Sequence, residues 1–432
     1  RRRAVASGPR RASTRVGGGS ESRRDAAGDL ARRHRAAAQA KIVRRRRAWV
    51  TLAVLSLAAA IVVSCNLAGG LSAHGHHPST STPGSTTPKT TTTVMPTSFN
   101  VGIHTFDWKE TGPGIWHVGP GGQELPGRVL TTEVRYPTVA GSTGTEAVNA
   151  KPSTVGGPYP VIVFAHGFET EPVDYQALLD SWVKVGFVVV SPIFPDESTA
   201  AVDADGGRDD TGIADTLEND AYNEPGDIVY VLKQLQTIGT QPWGANLSHV
   251  LNLSDVGLAG QSDGANVVGA LAYAPGLAPL YAGLPTAPKA VAVLSGFAWS
   301  YLPGKTIGTY RATAASPALL QVQSDADGCV PSPKLAVDMF ASLQTGLASK
   351  WFVTLLGADH LGPYQSVAPW AAVVDAVTTT FFEVELNWRA SSLSASSVQS
   401  AGTVSGAAVT TTTVNETTMP TVNVIPGCGI PS

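Results

Sequence analysis

The chain has 432 residues, a formal net charge of −3, 43% hydrophobic residues and 15% charged residues. This composition supplies a packed core and excludes a chain that is disordered throughout. The charge is uneven: residues 1–47 carry sixteen basic and three acidic side chains, whereas the remainder carries fourteen basic and thirty acidic ones. A basic, nucleic-acid-binding body is therefore excluded, and we expect no nucleic-acid partner.

A hydrophobic run follows the basic arm, residues 1–47. Residues 48–64 contain no charged side chain, and the uncharged stretch continues to Leu71. A run of this length can cross a bilayer, and arginines in front of it are retained in the cytoplasm. Residues 48–71 are therefore predicted to be a single transmembrane or signal-anchor segment, with the arm cytoplasmic and the rest outside the cell membrane.

Cys65 lies inside this segment and offers an alternative to a plain anchor. With the preceding Val62-Val63-Ser64 it is similar to the bacterial lipobox, in which the cysteine is lipidated after cleavage. The protein would then be a lipoprotein, and cleavage without lipidation would give a secreted protein. All of these alternatives place the body of the chain outside the cytoplasm.

Changes of composition divide the rest of the chain into three parts. Residues 72–98 are rich in Ser, Thr and Pro and are predicted to form a stalk, including the His-Gly-His-His cluster at 74–77. Residues 99–390 have the size and hydrophobic content of one α/β domain. Residues 391–432 are predicted to be a Ser/Thr-rich, low-complexity tail.

The chain has three cysteines. With Cys65 in the membrane segment, Cys329 and Cys428 remain as an even pair outside the cytoplasm, where disulfides persist. A Cys329–Cys428 disulfide is favoured over two separate thiols, and it would hold the tail against the domain.

Apolar segments and helical segments alternate through the domain. The predicted strands are short, apolar and rich in β-branched residues, or alternate apolar with polar residues, and they are 129–136, 161–164, 187–190, 256–259, 290–294, 319–323 and 351–356. The predicted helices between and after them are 175–185, 226–235, 265–273, 333–344 and 369–382. Strands that are apolar throughout are covered on both faces, so the fold class is α/β, with a mainly parallel sheet and helices on both faces.

A nucleophile motif follows the predicted strand 256–259. Gly260-Gln261-Ser262-Asp263-Gly264 has the pattern G-x-S-x-G and stands between a strand and a helix, the context in which this pattern holds an exposed nucleophilic serine. The glycines permit a tight turn, and the helix N-terminus stabilises developing negative charge. Ser262 is therefore the candidate nucleophile.

A serine nucleophile needs a base and a carboxylate that orients the base. His360 follows the predicted strand 351–356 and is the only histidine after Ser262. Asp325 and Asp327 both follow the strand 319–323, and the residues alone leave the choice between them open. The chain order Ser, Asp, His is that of α/β-hydrolases.

Two backbone N–H groups are needed to bind the oxyanion of the intermediate. One is expected from Asp263, directly after the nucleophile, and the other from Phe168, in the loop after strand 161–164. His166, in the same loop, precedes the serine and is predicted to be structural. This chemistry needs no cofactor, and no metal site is predicted.

Six segments carry a resemblance to a known family, and they are Glu133-Val134-Arg135-Tyr136-Pro137, His166-Gly167-Phe168, Glu224-Pro225-Gly226-Asp227-Ile228, the nucleophile motif, Asp327-Gly328-Cys329-Val330-Pro331 and Ala358-Asp359-His360. Together they resemble the branch of the α/β-hydrolase superfamily that contains cutinase-like polyester hydrolases, chlorophyllases, plasma-type platelet-activating-factor acetylhydrolases and dienelactone-hydrolase-like proteins. The resemblance extends over most of residues 125–385.

The resemblance adds two residue assignments. In the cutinase-like members the catalytic aspartate stands in a D-x-x-x-P segment, which here implies Asp327. A substrate-contacting tryptophan after the following strand implies Trp299, for which core packing is the alternative.

The sequence also departs from that branch. Gln261 replaces the usual histidine before the serine, and Asp263 places a carboxyl where polyester hydrolases often have Met, which argues against aromatic polyesters. Residues 196–227 carry eleven acids and one arginine. A solvated acidic loop is expected there, with a calcium loop at 203–210 as the alternative, although the EF-hand spacing is absent.

These observations predict an exported, membrane-tethered serine hydrolase of carboxylic esters. The catalytic domain is expected to be monomeric. The substrate is expected to be a small-molecule, lipid or polymer ester. An exported peptidase or acyltransferase with the same residues, and a non-catalytic cell-surface binding protein on the same fold, remain as alternatives.

Overall fold

The computed structural model describes residues 96–110, 128–141, 145–195, 197–200, 223–299, 301–302, 305–306, 308–329, 333–343, 346–347, 349–389 and 407–410. The predicted basic arm and membrane segment, and the predicted stalk up to residue 95, lie outside these ranges. None of the helices formed by the described residues is both long enough and apolar enough to cross a membrane.

Ten strands of the described chain form one mixed sheet, and two more form a short hairpin. The strands are β1 Asn100–Glu110, β2 Arg128–Thr138, β3 Ala147–Val148, β4 Tyr159–Ala165, β5 Val188–Pro192, β6 Leu251–Gln261, β7 Ala290–Leu294, β8 Tyr301–Leu302, β9 Lys305–Thr306, β10 Ala318–Ser324, β11 Lys350–Leu355 and β12 Ala407–Thr410. Across the sheet the order is β12-β11-β10-β7-β6-β4-β5-β2-β1-β3, and β8 pairs with β9.

The centre of the sheet is parallel. Strands β11, β10, β7, β6, β4 and β5 all run in the same direction, whereas β2, β1 and β12 join through antiparallel pairs. Strands β4, β5, β7 and β10 are buried along their whole length. The strand directions confirm the predicted mainly parallel sheet. The complete burial of its central strands is what parallel strands show when both faces of the sheet are covered.

Helices cover both faces of the sheet. They are α1 Gln176–Lys184, α2 Glu224–Gln236, α3 Asp263–Tyr273, α4 Ala278–Ala282, α5 Lys334–Ser342 and α6 Trp370–Glu385. Successive strand residues point to opposite faces, and on β4 Val161 and Val163 pack in one core with α2, α3 and α5. Ile162 and Phe164, between and after them, pack in the other core with α1 and α6.

Strand β1 was not predicted from the sequence. Its apolar residues change phase, since Val101 and Ile103 stand at odd positions whereas Phe106 and Trp108 stand at even ones. Val101 packs in the core on the α1 side, and Phe106 and Trp108 pack in the core on the opposite side. A strand whose first half buries one face and whose second half buries the other does not alternate apolar and polar residues regularly.

The sheet also extends into the segment predicted as a tail. Residues 407–410 form β12, which pairs antiparallel with β11 from Phe352 to Leu355. Strand β11 therefore has a neighbour on each side.

Candidate active site

The three predicted reactive side chains lie at the carboxyl ends of parallel strands. Ser262 directly follows β6, Asp327 lies in the loop after β10, and His360 lies in the loop after β11. Because these strands run in the same direction, their carboxyl ends meet at one edge of the sheet, where ligands bind in open α/β sheets.

Ser262 stands on a strained turn between β6 and α3. Its φ is 56° and its ψ is −121°, a combination that is costly for a residue with a side chain. A methyl group on Gly260 would lie 2.2 Å from the Gly264 carbonyl oxygen, and one on Gly264 would lie 2.3 Å from the Ala165 carbonyl oxygen. Both positions therefore require glycine, and the turn presses the start of α3 against the end of β4.

The imidazole of His360 joins Ser262 to Asp327. His360 Nε2 lies 2.8 Å from Ser262 Oγ, and His360 Nδ1 lies 2.8 Å from Asp327 Oδ2. Asp327 is fully buried and His360 is 7% exposed. With Nδ1–H donating to the carboxylate, Nε2 is free to accept the serine proton, as nucleophilic serine hydrolysis requires.

The surroundings of the two candidate aspartates differ. Asp327 Oδ2 also accepts from Gln323 Nε2 at 2.9 Å, and Asp327 Oδ1 accepts from the Cys329 N–H at 3.0 Å. Asp325 Oδ1 instead accepts from the Gly357 N–H at 2.6 Å and so joins the loop after β10 to the loop after β11. The structure thus brings Asp327, and not Asp325, to the histidine.

Gln323 was not predicted as a site residue, although the sequence contains a signal for it. It is fully buried on β10, among apolar strand residues. A buried amide in such a strand needs a hydrogen-bond partner, and the partner here is the Asp327 carboxylate.

The loop after β4 passes beside the nucleophile. A methyl group on Gly167 would lie 2.9 Å from Ser262 Cβ, so the backbone that leads to Phe168 touches the serine. The described residues provide no acceptor for the Phe168 or Asp263 backbone N–H. The assignment of these two N–H groups as oxyanion donors stays a prediction.

His166 is buried and bonded to the backbone through both ring nitrogens. Its Nε2 accepts from the Phe194 N–H at 2.8 Å, and its Nδ1 lies 2.9 Å from the Gly167 carbonyl oxygen. Because a carbonyl only accepts, Nδ1 carries the proton. These bonds join the loop after β4 to the segment after β5, which is the structural role predicted for this residue.

Asp263 combines a predicted backbone donor with a carboxyl side chain. Burial raises the pKa of this carboxyl, and the nearby His360 and a 3.3 Å hydrogen bond from Asn266 Nδ2 offset part of the rise. A carboxyl beside the nucleophile is thus held among polar groups of α3 and the imidazole.

Trp299 lies in the segment after β7, which runs along the first turn of α3. The Phe297 N–H donates to Asn266 Oδ1 at 2.8 Å, and the Trp299 N–H donates to Tyr310 Oη at 3.1 Å. The Trp299 ring is half-buried against the core. This position is compatible with both predicted roles, substrate contact and core packing.

The acid, the base and a cysteine form the one grouping of metal-type donors found among the described residues. Ligand atoms of Asp327, Cys329 and His360 lie within 4.8 Å of one another. Cys329 is disulfide-bonded, and the other two residues bond to each other, so the donor set does not fit a metal ion. Neither Cys65 nor Cys428 is among the described residues, and the Cys329–Cys428 pairing stays a prediction.

The predicted acidic loop is described only at its ends. Glu197, Glu224 and Asp227 are buried, the last two in the first turn of α2. The alternative calcium loop at 203–210 lies outside the described residues.

Comparisons with known proteins give matches to solved structures but none to family models or curated sequences. The chain is similar to the solved structure of a ferulic acid esterase from Streptomyces cinnamoneus, with 16% sequence identity, a TM-score of 0.49, and coverage of 73% of this chain and 98% of that one.

Proposed function

We propose that this protein is an exported, membrane-tethered serine hydrolase of carboxylic esters, on an α/β-hydrolase fold of the cutinase-like branch. The observation that carries the proposal is the line of hydrogen bonds from Ser262 through His360 to Asp327, at the carboxyl ends of neighbouring parallel strands. Such a line activates a serine, which is a weak nucleophile by itself.

In the first step, Ser262 Oγ attacks the ester carbonyl carbon while His360 Nε2 takes the hydroxyl proton. The carbonyl π bond becomes the oxyanion lone pair, and Asp327 stabilises the imidazolium that forms. Collapse of the intermediate breaks the bond to the alcohol, which leaves with the proton from Nε2. The product is an acyl ester of Ser262.

Water then repeats the sequence on the acyl-enzyme. His360 takes a proton from water as the water oxygen attacks, and it returns that proton to Ser262 Oγ as the carboxylic acid departs. The N–H groups of Phe168 and Asp263 are the proposed donors to the oxyanion in both steps. Donors held in place before the reaction cost no reorganisation when the charge develops.

Short-chain carboxylic esters are the proposed substrates. The carboxyl of Asp263 stands directly after the nucleophile, where an aromatic polymer would need an apolar contact. A peptidase or an acyltransferase would use the same three residues, so substrates rather than geometry separate these activities. A binding protein without activity is the second class of alternative.

The test is hydrolysis of p-nitrophenyl esters from acetate to palmitate by the full chain, purified in non-ionic detergent without reductant. Ser262→Ala is the inactive control, and Ser295→Ala, which removes a buried hydroxyl bonded to Tyr364, is the matched control. We expect turnover by the parent and by Ser295→Ala, and a loss of at least about a thousandfold in Ser262→Ala.

Two further measurements separate the alternatives. A fluorophosphonate probe should label Ser262, which a pure binding protein would not allow. Matched ester and amide substrates, with and without an added alcohol, report on peptidase and acyltransferase activity. Labelling without ester turnover would favour one of those two, and a folded parent that shows neither would overturn the enzyme proposal.

The membrane tether has its own test. The full chain should remain with the membrane fraction after alkaline carbonate extraction, whereas deletion of residues 48–71 should release it. Release of the unmodified full chain would contradict an anchor, and incorporation of labelled palmitate that depends on Cys65 would identify the lipoprotein form.

A further inference from the structure

We propose that Gln261 and Tyr175 are positioning residues, which together hold the catalytic histidine and the oxyanion loop in a fixed relation. We define the oxyanion loop as residues 166–170. The inference rests on the proposed function. It concerns the two buried side chains that lie between the catalytic histidine and the oxyanion loop.

Gln261 is fully buried directly before the nucleophile. Its Nε2 donates to the His360 carbonyl oxygen at 3.1 Å and lies 3.4 Å from His360 Nε2. Because the His360 carbonyl can only accept, the amide nitrogen must face it, which turns Oε1 to the other side. The orientation of the amide is therefore determined by the backbone of the histidine.

Tyr175 receives the other side of this amide. Its hydroxyl donates to Gln261 Oε1 at 2.7 Å and accepts from the Gly167 N–H at 3.3 Å. Tyr175 is fully buried, and burial raises the pKa of its hydroxyl, so the hydroxyl keeps the proton that it donates. A single side chain thus connects the amide to the oxyanion loop.

The carbonyl group of Gly167 is hydrogen-bonded, as its N–H is. Thr170 Oγ1 donates to the Gly167 carbonyl oxygen at 2.5 Å and lies 3.0 Å from the Tyr175 hydroxyl. The peptide between Gly167 and Phe168 is planar and trans, so its carbonyl and the Phe168 N–H point in opposite directions. Whatever fixes the Gly167 carbonyl therefore also aims the Phe168 N–H.

A continuous set of buried hydrogen bonds consequently runs from the His360 carbonyl through Gln261 and Tyr175 to the Gly167 N–H, next to the peptide that carries the Phe168 N–H. The base and the oxyanion donor come from loops far apart in sequence, and each must keep its position relative to the same substrate carbonyl. A displacement of about 1 Å can cost about a hundredfold in rate. This gives Gln261, which departs from the histidine usual in the resembled branch, a defined role.

The test uses the full chain in detergent and the p-nitrophenyl ester that the parent hydrolyses best. Tyr175→Phe removes only the hydroxyl, Gln261→Ala removes the amide, and the double variant combines them. Tyr136→Phe is the matched control, because it removes a buried hydroxyl that donates to the Ala150 carbonyl oxygen at 2.7 Å, on β2 and away from the site. Thr170→Val gives a second probe of the same loop if Tyr175→Phe does not fold.

We expect kcat to fall about ten- to a hundredfold in Tyr175→Phe and in Gln261→Ala, with KM within about threefold of the parent. The double variant should lose little more than either single variant, because the two side chains act as one unit. The affinity for a trifluoromethyl ketone, whose adduct places an oxyanion in the hole, should fall in proportion to kcat/KM. Tyr136→Phe should change only the melting temperature.

Parent-like kcat and ketone affinity in folded Tyr175→Phe and Gln261→Ala, or in folded Thr170→Val, would overturn the positioning role and leave the esterase intact. Equal losses in Tyr136→Phe would overturn it too, because they would show a general effect of lost stability. A parent with no turnover and no fluorophosphonate labelling would overturn the proposed function and this inference together.

Discussion

Asp327 and Asp325 lie on the same loop, yet their carboxylates bond to different partners. Asp327 Oδ2 lies 2.8 Å from His360 Nδ1, whereas Asp325 Oδ1 binds the Gly357 N–H at 2.6 Å. One carboxylate contacts the proposed base and the other joins two loops. The two aspartates therefore allow a proposed catalytic role and a structural role to be compared within one loop.

Replacing each aspartate by asparagine should separate these roles. Asp327→Asn is expected to lower kcat by about three to four orders of magnitude, because an amide in place of the carboxylate favours the wrong tautomer of His360. Asp325→Asn should keep kcat within about threefold and reduce stability by about 1 kcal/mol, since one hydrogen bond is weakened. Steady-state kinetics and urea unfolding of both variants provide the measurement. A larger kinetic loss in Asp325→Asn would reverse the assignment.

Trp299 offers a second comparison, between substrate contact and packing. If its ring lines the substrate site, Trp299→Ala should raise KM for p-nitrophenyl butyrate about three- to tenfold at similar kcat, because lost apolar contact weakens binding of substrate and transition state alike. Trp243→Ala is the control, since Trp243 stacks on His104 at a ring-centroid distance of 3.9 Å, beside β1. A lower melting temperature with unchanged KM would assign Trp299 to core packing.

The sequence predicted the elements that carry a strong local signal. Ser262 stands in a motif whose glycines are required by contacts of 2.2–2.3 Å, and His360 is the only histidine after it. The central strands also carry a strong local signal, because complete burial leaves them apolar throughout. The choice of Asp327 came from the resemblance, since both aspartates follow the strand at similar spacing.

The supporting residues were not predicted, because their roles depend on contacts that are distant in sequence. Tyr175 and Gln261 are 86 positions apart, and Gln261 and His360 are 99 apart. Nothing local to Tyr175 distinguishes it from a core aromatic residue. Polar residues in buried strands, such as Gln323, are the one signal that indicates such a network beforehand.

The disulfide at Cys329 should stabilise both the fold and the site. The Cys329 N–H binds Asp327 Oδ1 at 3.0 Å, so freeing this residue would loosen the loop that positions the acid. Cys329→Ser is expected to lower the free energy of unfolding by about 2–4 kcal/mol and to reduce kcat. If the partner is Cys428, as predicted, Cys428→Ser should show the same losses of stability and kcat as Cys329→Ser. Cys65→Ser should retain parental stability and kcat.

Non-reducing peptide mapping of the full chain provides the direct check of that pairing. A linked peptide that contains Cys329 and Cys428 is the expected result. A link from Cys329 to Cys65, or a melting temperature that Cys428→Ser leaves unchanged, would contradict it.

One component of the pH dependence of stability should come from Asp180, on α1. Burial, and then the charge of Glu146, raise the pKa of this carboxyl to about 7, although Arg135 lies 4.0 Å away and opposes the rise. The folded state therefore binds a proton that the unfolded state releases near its ordinary pKa of 3.8. Stability from this group is complete below that value and is lost as the pH rises through about 7.

Asp180→Asn should accordingly flatten the stability profile. We expect the parent to be less stable at pH 8 than at pH 5, and the difference to shrink in Asp180→Asn, because the amide has no proton to lose. Asp338→Asn, at an exposed i,i+4 pair with Lys334, is the control and should keep the parental difference. Urea unfolding at both pH values measures all three proteins, and an unchanged difference in Asp180→Asn would show that this carboxyl does not titrate in that interval.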